Sequence, residues 1–434
     1  MKTRRLEWTA AGQVAGEIRE WFGREAEGID VSGIGSEMRS GGDRALRELT
    51  ARYDATALEA RDVKLTVPAD QARAALADTS PDVVSALKLV IANVESVARA
   101  QLKVGETPVE LPQGQTVTVG EVPVKSAGIY APGGRASYPS TVVMGCVTAR
   151  VAGVERVVLV SPPGPDGEIN RTTLAAAALC EVDEIHAIGG AQAVFALARG
   201  TESIRPVDVI AGPGNAWVQA AKRVVFGEVG IDSLAGPSDL TVVLDSEVDP
   251  EWAALDLCAQ AEHGSESPLV AIATGPGVLE PLVAAVERAA AEHPSVNECR
   301  LALVEAPGPE EAVALADAIA PEHLQLMDAA SAALAERVRT AGCVFTGPEA
   351  GTAFGDYVAG SNHVLPTDGT GRFFGPLSPA TFRRPVSRVS LTPAAVGRLA
   401  PPLAALAEAE GLPVHGLSAT ERIPAGPNPE QETE

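Results

Sequence analysis

The chemistry begins at the end of one segment. Between Asp249 and Gly264 the sequence reads as a helix with both ends marked. Asp249 suits the N-cap, Pro250 the first helical position, Glu251 the positive end of the dipole, and Gly264 the stop. Trp252, Leu255 and Ala259 form its expected apolar stripe. Gln260 and His263 stand three apart on the last turn, so they share a face and could hold a metal or a polar ligand. A solvated helix end carries the same pair more often. The pair therefore needs matching groups from elsewhere in the chain.

The other histidines are His186, His293, His323, His363 and His415. His293, beside Glu292 and Pro294, reads as a solvated helix end, and His186 as a packed strand residue. His323 follows Pro321 and Glu322, where a helix over 309–319 must stop and a strand over 324–327 begins. A carboxylate next to an imidazole could divide acid and base work. Adjacent side chains of a regular strand point to opposite faces, so both can serve one cavity only if the junction is irregular. Pro321 favours that; a surface Glu-His pair is the plain alternative. His363 closes a glycine-hinged run that also holds Asp356, Tyr357 and Asn362. A metal ligand, a substrate contact and an ordered turn all fit there. His415, after Glu410 and Gly411, reads on composition alone as solvated.

A Gly-x-Gly-x-x-Gly fingerprint between a strand and a helix is absent. Gly189-Gly190-Ala191-Gln192 and Gly212-Pro213-Gly214-Asn215 do follow strand-like runs and open helices. Their backbone N–H groups could meet a phosphate. Tight turns would need the same glycines.

These residues must be positioned by a chain of 434 residues, enough for two or three units and a large core. With 46% hydrophobic and 21% charged residues it suits a soluble globular protein. A net charge of -23 argues against nucleic acid and against an anionic membrane. The five cysteines are scattered, without Cys-x-x-Cys spacing, as in a reducing compartment. No apolar run follows Lys2, Arg4 and Arg5, and no segment is apolar enough to span a bilayer, so the expected location is cytoplasmic.

Strand-like runs at 156–160, 184–188 and 207–211 alternate with helical runs at 140–152, 172–180, 191–198 and 215–225. The rhythm resumes after Gly236-Pro237, with strands at 240–244, 269–273, 301–304, 324–327 and 343–346. Helices are expected at 250–263, 278–291, 309–319 and 329–340. This means two α/β units built on parallel sheets, with ligands at the C-terminal strand ends. Residues 1–25 read as an amphipathic helical arm and 130–235 as the first unit. Residues 26–129 group with 236–380 in the unit carrying the chemistry, although they could also pack on the first. The stretch 347–380 is irregular, as functional loops are, and 381–434 is a helical tail whose end, from Pro424, reads as disordered.

Side by side, these motifs resemble histidinol dehydrogenase over nearly the full length. They are Tyr130-Ala131-Pro132-Gly133-Gly134-Arg135, the two glycine loops above, Ala235-Gly236-Pro237-Ser238, Gln260-Ala261-Glu262-His263 and Ala320-Pro321-Glu322-His323-Leu324. Gly355-Asp356-Tyr357, Asn362 to Thr367, and Glu410-Gly411-Leu412 with His415 complete the set. The resemblance implies oxidation of L-histidinol to L-histidine through L-histidinal, with two NAD and one Zn2+ per subunit. It implies two Rossmann-like doubly wound α/β domains, with 130–235 binding NAD, and smaller terminal segments that exchange in a homodimer. Gln260, His263, Asp356 and His415 are implied as zinc ligands, with His415 and Glu410 donated by the partner subunit. Glu322 and His323 carry over as the acid–base pair. Ser238, His363 and Glu410 carry over as substrate contacts beside the zinc ligands, and Tyr130, Gln192 and Asn215 as NAD contacts. A near-neutral His323 would take the hydroxyl proton, and Glu322 would activate water for the second oxidation. Trp217, Asp239 and Gly371 depart from the residues usual at their places. Relatives on this scaffold oxidise other polar alcohols such as sulfopropanediol; a zinc hydrolase is the more distant alternative.

Overall fold

Hydrophobic runs too continuous for a half-exposed strand dominate the two predicted α/β units, and both sheets are buried on both faces, as parallel sheets require. The computed structural model describes residues 1–23, 28–133, 137–296 and 298–424. Gly134 and Arg135 of the Tyr130 motif, and residues 425–434 of the tail, lie outside them. The chain divides into a larger unit, Met1–Leu102 with Val124–Phe382, and a smaller one, Lys103–Pro123 with Arg383–Glu434.

The larger unit holds two six-stranded sheets. In the first, the order is Thr66–Val67, Glu184–Ala187, Arg156–Ser161, Ser126–Tyr130, Val209–Ala211, Gly230–Ile231. All are parallel except Thr66–Val67, which runs antiparallel to Glu184–Ala187. In the second, the order is Lys2–Leu6, Arg300–Glu305, Pro268–Ala273, Leu240–Leu244, His323–Leu326, Cys343–Thr346, all parallel. Alternate residues feed opposite cores. Val157 and Leu159 pack with Leu174 and Met144, while Val158 and Val160 pack with Leu46 and Phe195. Leu301 and Leu303 pack with Leu257, while Ala302 and Val304 pack with Val14 and Leu315.

Several expectations need correction. The expected amphipathic helix is present, Ala11–Phe22, but not as a free arm: it buries Val14, Ala15 and Ile18 against the second sheet, and Lys2–Leu6 before it is an edge strand. Residues 26–129 do not build the chemistry-bearing unit. Helices Ser32–Tyr53 and Pro81–Gln101 cover the two faces of the first sheet instead. Residues 103–123 leave for the smaller unit, where Gln115–Pro123 pairs antiparallel with Arg383–Leu391. The tail thus starts as a nine-residue strand before helices Pro393–Ala409 and Pro413–Thr420. The helix expected over 329–340 shrinks to Ala329–Ala332 and a 3-10 turn. Helix Pro250–Ala261 buries Ala253, Ala254, Leu257 and Cys258, so its small face makes the core while Trp252 and Leu255 are exposed.

Candidate active site

The first sheet offers its C-terminal edge. Tyr130 and Ser161 end their strands, and the glycine loops after Ala187 and Ala211 open helices Gly190–Arg199 and Ala216–Val225. Together they line a cavity of about 880 Å³ with Asp54, Pro132, Gln192, Asn215 and Trp217 among its walls. Gly212 (φ 122°) has no room for a side chain, since a Cβ would stand 2.1 Å from the Tyr130 carbonyl oxygen. The Gly190 N–H donates to the Tyr130 hydroxyl at 3.0 Å. Asn215 caps its helix, its side-chain oxygen accepting from Trp217 and Val218 N–H at 3.1 Å each. All three sequence-proposed cofactor contacts, Tyr130, Gln192 and Asn215, therefore share one pocket.

Sequence reasoning missed Asp54 there. Gln192 donates to its carboxylate at 3.2 Å, and burial raises its pKa to about 6. It follows a helix end with no motif around it; only its wall position marks it.

The second sheet uses its opposite edge, where strands begin. This departs from the expectation that ligands meet C-terminal strand ends. Ser238 and Asp239 precede strand Leu240–Leu244, and Glu322 precedes strand His323–Leu326. Gln260 and His263 end the helix that runs back to that same edge. The junction before Glu322 is irregular as required: Ala320 is left-handed (φ 58°), and Pro321 follows. Glu322 and His323 are both buried, 3.6 Å apart. Glu322 accepts from the Ser238 hydroxyl and, at 3.0 Å, from Asp239 N–H; the Asp239 carboxylate accepts from Glu322 N–H at 2.9 Å. Gln260 Nε2 donates to Ser238 Oγ at 2.6 Å. His323 Nδ1 lies 3.0 Å from the Asp239 carbonyl, and Nε2 lies 3.5 Å from an Asp356 oxygen.

The electrostatics are those of a crowded ion cluster. Burial pushes the Glu322 carboxyl up, with His323 and Ser238 opposing it. Burial acts to lower His323, but Glu322 and Asp356 outweigh it and lift it to about 9. That corrects the near-neutral expectation: beside two carboxylates the imidazole is charged at neutral pH. Burial opposes, yet His323 holds Asp356 below the ordinary carboxylate range. His263 has an accessible face, but the surrounding protein lowers its pKa against the pull of Asp356.

His363 bridges the two halves. Its Nδ1 sits 2.6 Å from the Asp356 carbonyl and its Nε2 3.2 Å from Thr141 Oγ1. Thr141 lies in the first turn of helix Pro139–Ala152, which leaves the C-terminal edge of the first sheet. That edge thus meets the strand-entrance edge of the second. Glu410 and His415 belong to the smaller unit, where both are exposed and line a groove with Leu403, Leu406 and Leu412.

Among the described residues no group of three or more His, Cys, Asp or Glu gathers as a metal site. Within the Glu322–His323 cluster two buried atoms lack a hydrogen-bond partner, Gln260 Oε1 and His323 Nε2. Gln260 Oε1 comes from the same turn as His263, which interacts with Asp356. Two or three nitrogen and oxygen donors with an orphaned amide oxygen fit a divalent ion whose remaining ligand comes from elsewhere.

A family model described as histidinol dehydrogenase matches residues 24–423. A histidinol dehydrogenase from Cereibacter sphaeroides is 44% identical over 91% of this chain and 91% of its own length. One from Geobacter sulfurreducens is 43% identical over 93% and 95%. A crystal structure of histidinol dehydrogenase from Elizabethkingia anophelis superposes with a TM-score of 0.88 at 30% identity, covering 98% of each chain.

Proposed function

The chain belongs to the histidinol dehydrogenase family and is an oxidoreductase acting on a CH–OH group; from that premise we propose that it oxidises L-histidinol to L-histidine through L-histidinal, with NAD and zinc. The observation that carries the reading is the linked set Gln260–Ser238–Glu322–His323–Asp356 at one sheet edge, facing a second edge that holds a glycine-lined cavity.

The first half is a Rossmann-like domain whose cavity binds NAD through Tyr130, Gln192 and Asn215, helix N-termini meeting the phosphates. Gln260, His263 and Asp356, with His415 of the partner subunit, would hold zinc. Zinc would supply an anchor for the nitrogens of the amino alcohol, and two NAD molecules would each accept one hydride. In its neutral form His323 takes the hydroxyl proton on Nε2, the nitrogen 3.5 Å from Asp356. Glu322, and then Asp356, raise its hold on that proton, so an Asp356 carboxylate engaged by a metal would favour the neutral base. Glu322, raised by burial, takes a proton from water for attack on the aldehyde. Ser238 and the Asp239 N–H fix the carboxylate that does so. His363 and the partner subunit's Glu410 complete the substrate contacts.

A homodimer follows from the same reading. The smaller unit exposes Leu406, Val414 and Leu417, and a second copy would cover them while bringing His415 to the metal. No helix of the described residues is long and apolar enough to cross a membrane, which suits the proposed cytoplasmic enzyme.

The test is the yield of NADH from zinc-loaded protein. Two NADH per histidinol is the expected result; a folded, zinc-loaded enzyme giving none sinks the assignment. Strong preference for an anionic diol such as a sulfopropanediol would move the substrate, and zinc-dependent hydrolysis without NAD would move the reaction class.

A further inference from the structure

One helix joins the cavity of the first half to the acid–base cluster of the second. Helix Ala216–Val225 carries two fully buried polar side chains one turn apart, Gln219 and Lys222. Neither belongs to the chemistry described above. Lys222 Nζ donates to the Gly212 carbonyl at 2.5 Å and lies 2.7 Å from an Asp232 oxygen. The other Asp232 oxygen accepts the Gly212 N–H at 2.7 Å. Both polar groups of Gly212 are thereby fixed, beside the Tyr130 backbone it already abuts. Removing a lysine and a carboxylate from water is costly, and two apolar residues would fill the space as well. A pair retained there restrains the loop.

Gln219 faces both ways. Its Nε2 donates to the Gly214 carbonyl at 3.3 Å, within the cavity loop. Its Oε1 accepts the Ala235 N–H at 2.9 Å. Three residues beyond Ala235 lies Ser238, whose hydroxyl donates to Glu322. The amide thus spans from the loop before Asn215 to the segment that holds the general base.

We propose that Gln219 is a positioning residue that couples the glycine loop of the cofactor pocket to the Ala235–Ser238 segment, with Lys222 and Asp232 as the anchored end of the bracket. The proposal rests on the reading of that pocket as the NAD site. Coupling through one rigid amide means that a shift of the loop moves Ser238, and misplacement by about 1 Å costs up to about 100-fold in rate.

The test uses the full-length, zinc-loaded protein with Gln219→Leu and Gln219→Glu. Gln219→Leu is expected to raise the KM for NAD and lower kcat, each by about 10- to 100-fold. Amide exchange should quicken at 212–215 and 233–238 together. Gln219→Glu keeps an acceptor for Ala235 N–H but loses the donor to Gly214. It should therefore restore kcat while the KM for NAD stays raised. Wild-type constants in Gln219→Leu, or faster exchange at only one of the two segments, overturn the proposal. So does a fall in melting temperature with both constants unmoved, which is what a purely structural amide would give. Should Gln219→Leu not fold, Gln219→Glu decides alone, by whether kcat and KM part. A wild type that makes no NADH from histidinol defeats the cofactor reading instead, and paired exchange still decides the coupling.

Discussion

The two halves of the larger unit are wired alike and used differently. Taking the parallel strands of each half in chain order, both sheets run 3-2-1-4-5, with one more strand from the N-terminal region beside strand 3. The first half opens its cavity at its C-terminal edge, and the second gathers its buried Glu322–His323 cluster at its N-terminal edge. Helices begin at a C-terminal edge, presenting N–H groups and positive dipole ends that suit phosphates. Helices end at an N-terminal edge, so Gln260 and His263 arrive where carbonyls and the negative dipole end favour a cation. Strand entrances there also supply Asp239, Glu322 and His323. The equivalent entrances of the first sheet hold ion pairs such as Arg156–Glu184 at 2.8 Å and Arg205–Glu184 at 2.6 Å, and a Ser126–Asp208 hydrogen bond at 2.9 Å. Equal topology thus leaves open which edge gathers the polar groups; in both halves it is the edge that faces the other half.

This division of labour can be broken or sharpened by substitution. His323→Asn should lower kcat by about 10²- to 10⁴-fold, with zinc content and NAD affinity unchanged. An equal loss of NAD affinity, read by titration, would erase the separation between edges. Gly212→Ala places a methyl against the Tyr130 carbonyl in a left-handed backbone. It should destabilise the first half by about 3 kcal/mol in denaturant melts and abolish NAD binding while zinc remains. Retained NAD affinity would show that the loop need not approach Tyr130 so closely.

The added edge strands give a milder contrast. Leu6 and Val67 are equally buried at 8% exposure. Leu6→Ala should cost about 2 kcal/mol and Val67→Ala about 1 kcal/mol. Equal costs would mean that side-chain volume is not what holds either strand. Smallest is the effect at the unused edge. Arg156, and then Arg205, hold the Glu184 carboxyl at about 2, below its ordinary 4.5. A lowered folded-state value stabilises above about pH 4.5 and loses that contribution as pH falls toward 2. Glu184→Gln should therefore remove at most about 1 kcal/mol at pH 7, since solvent screens the pair, and flatten the loss below pH 4.5. Changed kcat in this variant would mean that the edge is not merely structural.

Much of this architecture is legible in the sequence because buried parallel strands are written as apolar runs. Leu240–Leu244 and Cys343–Thr346 fall where the runs place them. Lys2–Leu6 reads as charged and Thr66–Val67 is too short for periodicity; both exist only because an open sheet edge accepts their backbones. Arg383–Leu391 escapes notice for the same reason, since its partner Gln115–Pro123 is far away in sequence. Within the site, the motifs mark Glu322, His323, Gln260 and Ser238, which one network joins. Asp54, Thr141 and Gln219 carry no local signature. Their roles come from what the fold sets opposite them.

The pairing of Lys2 with Arg300 has a consequence for biogenesis. On the ribosome the opening strand emerges first, and its neighbour is made on the order of tens of seconds later at ordinary elongation rates. The intervening segments can complete the first sheet in the meantime. Four of the five waiting residues are polar, with three cations among them, which discourages adhesion to a nascent neighbour. A strand made well before its sheet neighbour is thus kept soluble by its own charge until that neighbour exists.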